Sequence, residues 1–236
     1  MKRISTTLDK KIADRLIAEA LEREKNHTPS GKLSASKLWW PLQWQILYVL
    51  GVPQKELDEY TLRKFARGRQ VEDWYISQIP TVKKQEFVEY RGVVGYYDAL
   101  SDTSNWDFNF GEIPHEVKSV TNFKYRRIVQ ENAPQESHEV QSGFYALALE
   151  KEHHALTYIA SDDLRTHTFV LDVADVKGKI DKAIDDFEGT LKSKIIPTFE
   201  PREEWQSKPK YANYPEWMGL SEKDLVIKAK ELYGNS

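Results

Sequence analysis

Five polar residues in the middle third of the chain are of types that could do chemistry together: Asp98, Glu116, Lys118, Gln141 and Tyr145. Glu116 and Lys118 lie two apart in a predicted strand, where side chains at that spacing point to the same face. If this strand pairs with the strand that ends at Asp98, the two carboxylates converge. Two carboxylates and a lysine on neighbouring strands form a compact site for a hard divalent cation.

Such a site suits Mg²⁺ or Mn²⁺, which take one or two carboxylates, a backbone carbonyl and several waters. The carbonyl of Val117 is a candidate further ligand. The metal lowers the pKa of a bound water and stabilises the charge of an in-line displacement at phosphorus. Lys118 is placed to hold the attacking water and to offset phosphate charge, and a depressed pKa would suit that role. We therefore interpret Asp98, Glu116 and Lys118 as catalytic residues of metal-assisted phosphodiester cleavage.

Gln141 and Tyr145 lie four apart on one face of a predicted helix, one position away from its buried stripe. They can meet phosphates or a base at the mouth of the site, or they can form the rim of a packed helix. Each of the other residues also has a structural interpretation. Glu116 and Lys118 can form a surface ion pair, and Asp98 can be a turn residue after a strand. The order of the three contexts, strand, strand and helix, favours the functional interpretation.

Hydrophobic periodicity and turn residues predict an α/β (α+β) fold that begins with helices and continues with a sheet. The predicted helices cover residues 8–24, 34–48 and 56–79, a stretch after Pro134 up to Glu150, and a stretch that includes Val176 and Leu191. The predicted strands cover residues 85–100, 113–120, 155–161 and 166–173. Residues 197–219 are rich in Pro, Trp and Tyr and are expected to lie across the body before a short terminal helix.

Two groups of side chains in the helical part have both a binding and a structural interpretation. Residues 39–48 are dense in aromatics, which can stack on bases but more often form core on an apolar helix. The third helix carries Arg63, Lys64, Arg67 and Arg69, which can follow a phosphate backbone or simply form a solvated face. With Gln141 and Tyr145, the substrate-binding candidates are Arg69, Lys124 and Arg126.

Composition limits the possible classes of protein. The chain has 236 residues, of which 40% are hydrophobic, and no cysteine, which excludes disulfides, a cysteine nucleophile and a cysteine-ligated iron–sulfur cluster. No apolar run approaches the roughly 20 residues that span a bilayer, and the N-terminus lacks a secretory signal. A soluble cytoplasmic protein without a membrane partner is expected. Because the net charge is −3, any contact with nucleic acid must be local.

Other catalytic motifs are missing from the sequence. There is no Walker-type phosphate loop, no histidine pair of the zinc-protease kind and no serine-hydrolase elbow. The chain is therefore not itself an ATP-driven motor, and any helicase partner would be a separate polypeptide.

At the residues named above the chain resembles the PD-(D/E)XK nucleases, and within them the RecB-like group that includes the CRISPR-adaptation exonucleases. The resemblance covers about residues 34–172 and rests on Gly95 with Asp98, Glu116 with Lys118, and Gln141 with Tyr145. It implies a restriction-endonuclease-like core, a central mixed β-sheet flanked by helices, behind a helical N-terminal region. It also implies one nuclease domain over residues 1–236, with a helical part over 1–80, a catalytic core over 81–196 and an extension over 197–236.

The resemblance adds a metal ligand on the preceding helix, where this chain has Glu72, so that the implied ligands are Glu72, Asp98, Glu116 and the carbonyl of Val117. Iron–sulfur members of the group carry a cysteine before a proline, where this chain has Trp40 before Pro41. They carry further cysteines near the C-terminus, where this chain has residues 210–214. The implied cofactor is Mg²⁺ or Mn²⁺ without an iron–sulfur cluster, whose place aromatic packing would take.

The sequence thus predicts a metal-dependent DNA nuclease, with an exonuclease acting on DNA ends as the leading hypothesis. A setting in recombination, repair, or viral or CRISPR DNA processing would fit. A structure-specific endonuclease and a DNA-binding subunit without turnover are the alternatives. Besides DNA, a separate helicase, recombinase or annealing protein and a homo-oligomer are compatible with the pattern.

Overall fold

The computed structural model of the chain describes residues 31–107 and 109–234, together with Lys11, Asp14, Arg15, Ala18, Glu19 and Glu22, which are helical. The helix predicted over residues 8–24 falls for the most part outside the described residues. No helix within the described residues is long and apolar enough to cross a membrane.

Six further helices and seven strands follow in this part of the chain. The helices are α1 (Leu42–Val49), α2 (Glu59–Gln78), α3 (Asn122–Glu131), α4 (Glu136–Ala148), α5 (Ala174–Lys192) and α6 (Glu222–Gly234). The strands are β1 (Thr81–Lys84), β2 (Phe87–Tyr90), β3 (Val93–Tyr96), β4 (Ala99–Asp102), β5 (Glu112–Val120), β6 (His153–Ala160) and β7 (Thr166–Asp172). Short 3₁₀ helices cover Ala35–Lys37, Glu204–Ser207 and Pro215–Trp217.

The central sheet has five strands in the order β1-β4-β5-β6-β7. The β5–β6 pair is parallel and the other pairs are antiparallel, so the sheet is mixed and the α/β prediction is confirmed. Strands β2 and β3 form a hairpin that turns at Gly92 and makes a sheet of its own. Its two-residue turn places Arg91 and Gly92 at φ of 49° and 76°, the left-handed pair that suits the twist of a hairpin.

Helices cover the sheet on both faces. Helix α4 packs on β6 and α5 packs on α4, while α2 packs on β5. On the α2 face Ile76 lies against Ala99, Val117 and Ile159. Glu116 and Lys118 alternate with Val117 along β5, so they point toward the α4 face. Because side chains alternate along β5, one face of this strand packs in the core and the other face carries the polar site.

The strands predicted over residues 113–120, 155–161 and 166–173 match β5, β6 and β7. Residues 85–100 instead contain β2, β3 and the beginning of β4, β1 was not predicted, and one predicted helix is broken. Residues 35–37 form a 3₁₀ helix and α1 begins only at Leu42. Pro41 is the physical reason, because proline disfavours a helical conformation at the preceding residue, Trp40, and offers no N–H to a helix. Helix α3 was not predicted at all. Its signals are an N-cap at Thr121 and a left-handed C-cap at Asn132, around only two buried residues.

The dense aromatics of α1 belong to the core. Trp44 is fully buried, and its ring lies 5.5 Å from that of Phe199, 6.4 Å from that of Trp205 and 6.5 Å from that of Tyr214. These partners come from the C-terminal extension, which lies across α1 as predicted. The structural interpretation of the tryptophan-rich helix is therefore confirmed for Trp44.

Candidate active site

The carboxylates gather where β4 stops pairing with β5. That pairing ends at His115, and β5 continues for five more residues. Beyond this point the N–H of Val117 donates to Asp98 Oδ2 at 2.9 Å, and the N–H of Ser119 donates to Glu72 Oε1 at 2.9 Å. The two carboxylates thus accept hydrogen bonds from backbone N–H groups of β5 that have no partner in β4. The same hydrogen bonds hold Asp98 and Glu72 beside Glu116 and Lys118.

Asp98 does not close a strand that pairs with β5, which corrects the pairing considered from sequence. Strand β3 ends at Tyr96 and pairs with β2, and it is β4, starting at Ala99, that pairs with β5. Asp98 lies in the bend between them. Because it is not held in a strand ladder, its side chain is free to turn toward the N–H of Val117. The two carboxylates still converge, by a bend rather than by direct pairing.

Glu116 and Lys118 form an ion pair at the bottom of the site. The Lys118 ammonium donates to Glu116 Oε1. Glu116 is 2% exposed, and its Oε2 is buried without a hydrogen-bond partner. Burial, reinforced by the charge of Asp98, raises the pKa of Glu116 to about 8. A buried carboxylate oxygen that lacks a donor is a suitable ligand for a cation.

The expected depressed pKa of Lys118 is wrong. Burial by itself lowers the pKa of this ammonium, but the charges of Glu116 and Asp98 outweigh it, so the pKa of Lys118 lies above its ordinary value. The side chain is 23% exposed. Lys118 is therefore a protonated hydrogen-bond donor and not a neutral base.

Asp98 and Glu72 are also held in a low-dielectric setting. Burial raises the pKa of both, although the Lys118 charge and a backbone N–H each oppose the shift. Within the described part of the chain, no three His, Cys, Asp or Glu side chains converge closely enough to hold a metal ion by themselves. A cation here would need Asp98, Glu116 and further oxygen ligands.

The carbonyl of Val117 lies on the same side of β5 as Asp98. The N–H and C=O of a strand residue point toward the same neighbouring strand. Since the Val117 N–H points to Asp98, its C=O lies on that side too, beyond the end of the β4 ladder. The donor set of two carboxylates and one carbonyl is of the kind that Mg²⁺ and Mn²⁺ take together with water.

Tyr145 lies under the site rather than at its mouth. It is 2% exposed, and its hydroxyl accepts a hydrogen bond from Gln141 Nε2 at 3.1 Å. Burial raises the pKa of Tyr145 well above its ordinary value, so the phenol stays neutral. A Cβ on Gly95 would approach Tyr145 Cε1 to 2.7 Å. The glycine before Asp98 is thus required by close contact between β3 and α4, while Gln141 is half-buried and reaches toward the site.

The basic candidates are not all brought together. Arg69 is half-buried on α2, three residues before Glu72 and on the same face of the helix. Lys124 and Arg126 are both exposed on α3. The Lys124 ammonium lies 3.4 Å from Gln135 Oε1. Of the three, Arg69 shares an element with a residue of the site.

Known proteins resemble this chain in fold. No family model matches the chain, and no curated protein matches it. Its fold is similar to that of SSO0001, with a TM-score of 0.54 and 18% identity over 86% of this chain and 94% of that one. It is also similar to the alkaline exonuclease LHK-Exo from Laribacter hongkongensis, solved alone and in complex with dAMP, with a TM-score of 0.51 and 14% identity over 76% and 93%. The chain therefore shares its α/β fold with an alkaline exonuclease.

Two residues beside Lys118 were missed from sequence. Tyr158 on β6 is the register partner of Lys118. Its hydroxyl accepts the Gln135 N–H at 2.9 Å and lies 3.1 Å from His138 Nδ1. Burial, followed by the positive charge of Lys118, lowers the pKa of His138 well below its ordinary value. The available signal was the spacing of three between His138 and Gln141, which places both on one face of α4.

Proposed function

We propose that this chain is a Mg²⁺- or Mn²⁺-dependent deoxyribonuclease that acts as an exonuclease on DNA ends. One observation carries the proposal: Asp98, Glu116 and Lys118 meet at the free edge of β5, where Glu116 Oε2 is buried without a hydrogen-bond partner. The fold shared with an alkaline exonuclease, which was also solved in complex with the deoxynucleotide dAMP, supports DNA as the substrate and attack from an end.

Asp98, Glu116 and the carbonyl of Val117 are the proposed metal ligands. Glu72 lies beside them. The N–H of Ser119 donates to Glu72 Oε1, and the other carboxylate oxygen of Glu72 binds the metal ion or an ordered water. When bound, the cation polarises the scissile phosphate and lowers the pKa of a water. Burial raises the pKa values of the three carboxylates, and a divalent cation would stabilise their ionised form.

Lys118 acts as a fixed positive charge. Because its pKa is raised, it stays protonated at neutral pH and donates hydrogen bonds. In this role it orients the attacking water and offsets the negative charge that develops on the phosphate in the transition state. His138, hydrogen-bonded to Tyr158, borders the same space and keeps a neutral ring beside the ammonium.

The DNA backbone is held by local contacts, as the net charge of −3 requires. Gln141 is the proposed contact closest to the reacting phosphate. Arg69 approaches from α2, and Lys124 and Arg126 extend the positive surface along α3. Tyr145 acts through Gln141, whose amide it fixes from below.

The proposal is tested by cleavage of end-labelled single- and double-stranded DNA with Mg²⁺, Mn²⁺ or a chelator. Wild type should shorten the DNA from one end only in the presence of metal, and Glu116→Ala should lose the activity while its circular dichroism spectrum stays unchanged. Equal cleavage by the variant, or cleavage by wild type in excess chelator, would contradict the proposed site. Binding of DNA without cleavage would identify a DNA-binding subunit instead.

A further inference from the structure

Two large aromatic side chains are exposed on the outer face of the β2–β3 hairpin. Phe87 and Tyr96 are 52% and 62% exposed and stand directly opposite each other in the register. Their ring centroids are 5.5 Å apart with an interplanar angle of 68°. Exposure of adjacent large rings on a short hairpin is costly unless something covers them.

The opposite face of the hairpin is packed, so the orientation of the pair is fixed. Val88 and Val93 are buried in the main core. Tyr90 contacts Phe144 of α4 with ring centroids 6.2 Å apart, and Gly95 lies against Tyr145. Because side chains alternate along a strand, Phe87 and Tyr96 must point away from the body. The two rings are therefore presented on a rigid support.

This support adjoins the candidate active site. Tyr96 precedes Asp98 by two residues, and the N–H of Gln85, two residues before Phe87, donates to the carbonyl of Asp98 at 3.3 Å. Lys84 is exposed on β1 and pairs in register with Ala99, the neighbour of Asp98. Lys84 and the two aromatic rings are thus carried by the backbone segments that adjoin Asp98.

We propose that Phe87 and Tyr96 form a stacking surface for unpaired bases of a single DNA strand that leads to the Asp98–Glu116 site, with Lys84 meeting a phosphate of that strand. This inference rests on the proposed nuclease function and assigns its substrate a single-stranded segment. Aromatic rings beside a positive charge are the means by which proteins bind single strands without base specificity. The bases of an intact duplex are already stacked on one another and do not offer their faces.

The surroundings of the rings favour nucleic acid over a protein partner. The hairpin and its neighbours carry ion pairs, Lys32 with Glu89 at 2.8 Å and Lys83 with Glu86 at 3.1 Å. A stable protein interface needs a broad core depleted of charged side chains, whereas two rings bordered by charges are too small an apolar area. Lys84 is exposed and is outside these two ion pairs, so the surface offers a stacked strand two ring faces and one cation.

A purely structural role for the pair is the alternative that the experiment must separate. Directly opposite aromatics stabilise a hairpin by packing. Tyr96→Phe keeps the ring, and Tyr96→Leu keeps an apolar side chain but removes the stacking face. Tyr211→Leu is the matched control, because Tyr211 is 53% exposed and belongs to the C-terminal extension rather than to the hairpin.

The measurement is the affinity of the full chain for a fluorescein-labelled single-stranded oligonucleotide and for a blunt duplex, by anisotropy in chelator so that no cleavage occurs. We expect Tyr96→Leu and Phe87→Leu each to weaken single-strand binding by about tenfold. Tyr96→Phe and Tyr211→Leu should bind as wild type does, and affinity for the blunt duplex should not change. Photo-crosslinking of a 5-iodouracil oligonucleotide to wild type should map to Phe87 or Tyr96, whether or not the leucine variants fold.

The outcomes separate this inference from the proposed function. Unchanged single-strand affinity in both leucine variants, or crosslinks confined to other segments, would overturn the stacking surface even if wild type cleaves DNA with Mg²⁺. A wild type that neither binds nor cleaves DNA would overturn both. Weaker binding by Tyr96→Leu, together with wild-type binding by Tyr96→Phe, would support the inference even before any cleavage is detected.

Discussion

At the scale of single residues, Lys118 and Glu116 each change the protonation of the other. The ammonium donates to Glu116 Oε1, while Glu116 and Asp98 hold the pKa of Lys118 above its ordinary value. Glu116 is buried and Lys118 is 23% exposed, so water screens the interaction between the two charges only weakly. Lys118 therefore contributes to the reaction as a charge and not as a proton acceptor.

Replacement of Lys118 by alanine should affect chemistry more than metal binding. We expect Lys118→Ala to lower kcat by about 10²-fold or more, because the charge that offsets the phosphate is lost. Its affinity for Mn²⁺, measured by titration calorimetry, should stay within a few-fold, since the carboxylate oxygens remain. Lys182→Ala, which removes an exposed lysine paired with Asp186, is the control and should change neither quantity. Loss of Mn²⁺ binding parallel to the loss of kcat would refute the assignment.

The buried, ionised carboxylate of Glu116 destabilises the folded protein, and replacement by the neutral glutamine should remove this effect. Its folded pKa of about 8 lies above the ordinary value of 4.5. The stabilisation by the bound proton is complete below pH 4.5 and is lost as the pH rises through 8. At pH 8 in chelator, Glu116→Gln should therefore melt at least about 3 °C above wild type. Added Mn²⁺ should raise the Tm of wild type only.

The comparison of Tm with and without metal distinguishes a ligand from a structural acid. If Mn²⁺ raises the Tm of Glu116→Gln as much as that of wild type, Glu116 does not bind the ion. If glutamine lowers the Tm in chelator, the ion pair with Lys118 outweighs the cost of burying the carboxylate. Differential scanning fluorimetry at matched protein concentration is sufficient for both.

At the scale of elements, the contact between β3 and α4 positions Asp98. Gly95 lies against the Tyr145 ring, with the Cβ of Ala35 also 3.0 Å from an added methyl group. The strand cannot shift outward without disturbing the core residues around it, and Asp98 follows three residues later. A change of one methyl group at this contact should therefore act on both stability and catalysis.

Gly95→Ala should destabilise the protein by about 1–3 kcal/mol, the usual cost of overpacking, and lower kcat by moving Asp98. Chemical denaturation and steady-state cleavage measure the two effects. The control is Gly189→Ala on α5, where an added Cβ meets nothing within 4 Å. Since alanine favours a helix by about 1 kcal/mol over glycine, this control should be neutral or stabilising. Equal behaviour of the two variants would show that the glycine contact does not position the site.

At the scale of the whole molecule, two buried histidines couple stability to pH. His115 bonds Ser101 and Thr157 on one side of the sheet, and His154 bonds Ser142 on the other. Burial lowers the pKa of each to about 4. The folded state binds their protons less well than the unfolded state, in which the pKa is 6.5. Their contribution is therefore complete above pH 6.5 and is lost as the pH falls toward 4.

Replacement of His154 by glutamine should make stability less sensitive to acid. Between pH 7.5 and pH 5, wild type should lose about 2 kcal/mol through this residue, and His154→Gln should not show that part of the loss. Urea denaturation at the two pH values measures the difference. An unchanged pH dependence in His154→Gln would contradict a buried neutral ring.

Most of the secondary structure could be predicted, because it depends on local information. Alternation indicated β5, β6 and β7 and placed Glu116 and Lys118 on one face, and the spacing of four placed Gln141 with Tyr145. Strand β1 was missed, and residues 85–100 contain β2, β3 and the beginning of β4. Helix α3 was missed because only two of its residues are buried and its caps are the clearer signal. The break at Pro41 was missed because the apolar pattern continues across it.

The sequence by itself determined which residue types stand in which order and which classes of chemistry are closed to the chain. Only the tertiary structure decided where the β4 ladder ends, and that end is what brings Asp98 and Glu72 to the edge of β5. Likewise, only packing decided that Tyr145 is buried and that the pKa of Lys118 is raised. Periodicity reports the face of an element, whereas register, burial and the balance of charges depend on residues far apart in the chain.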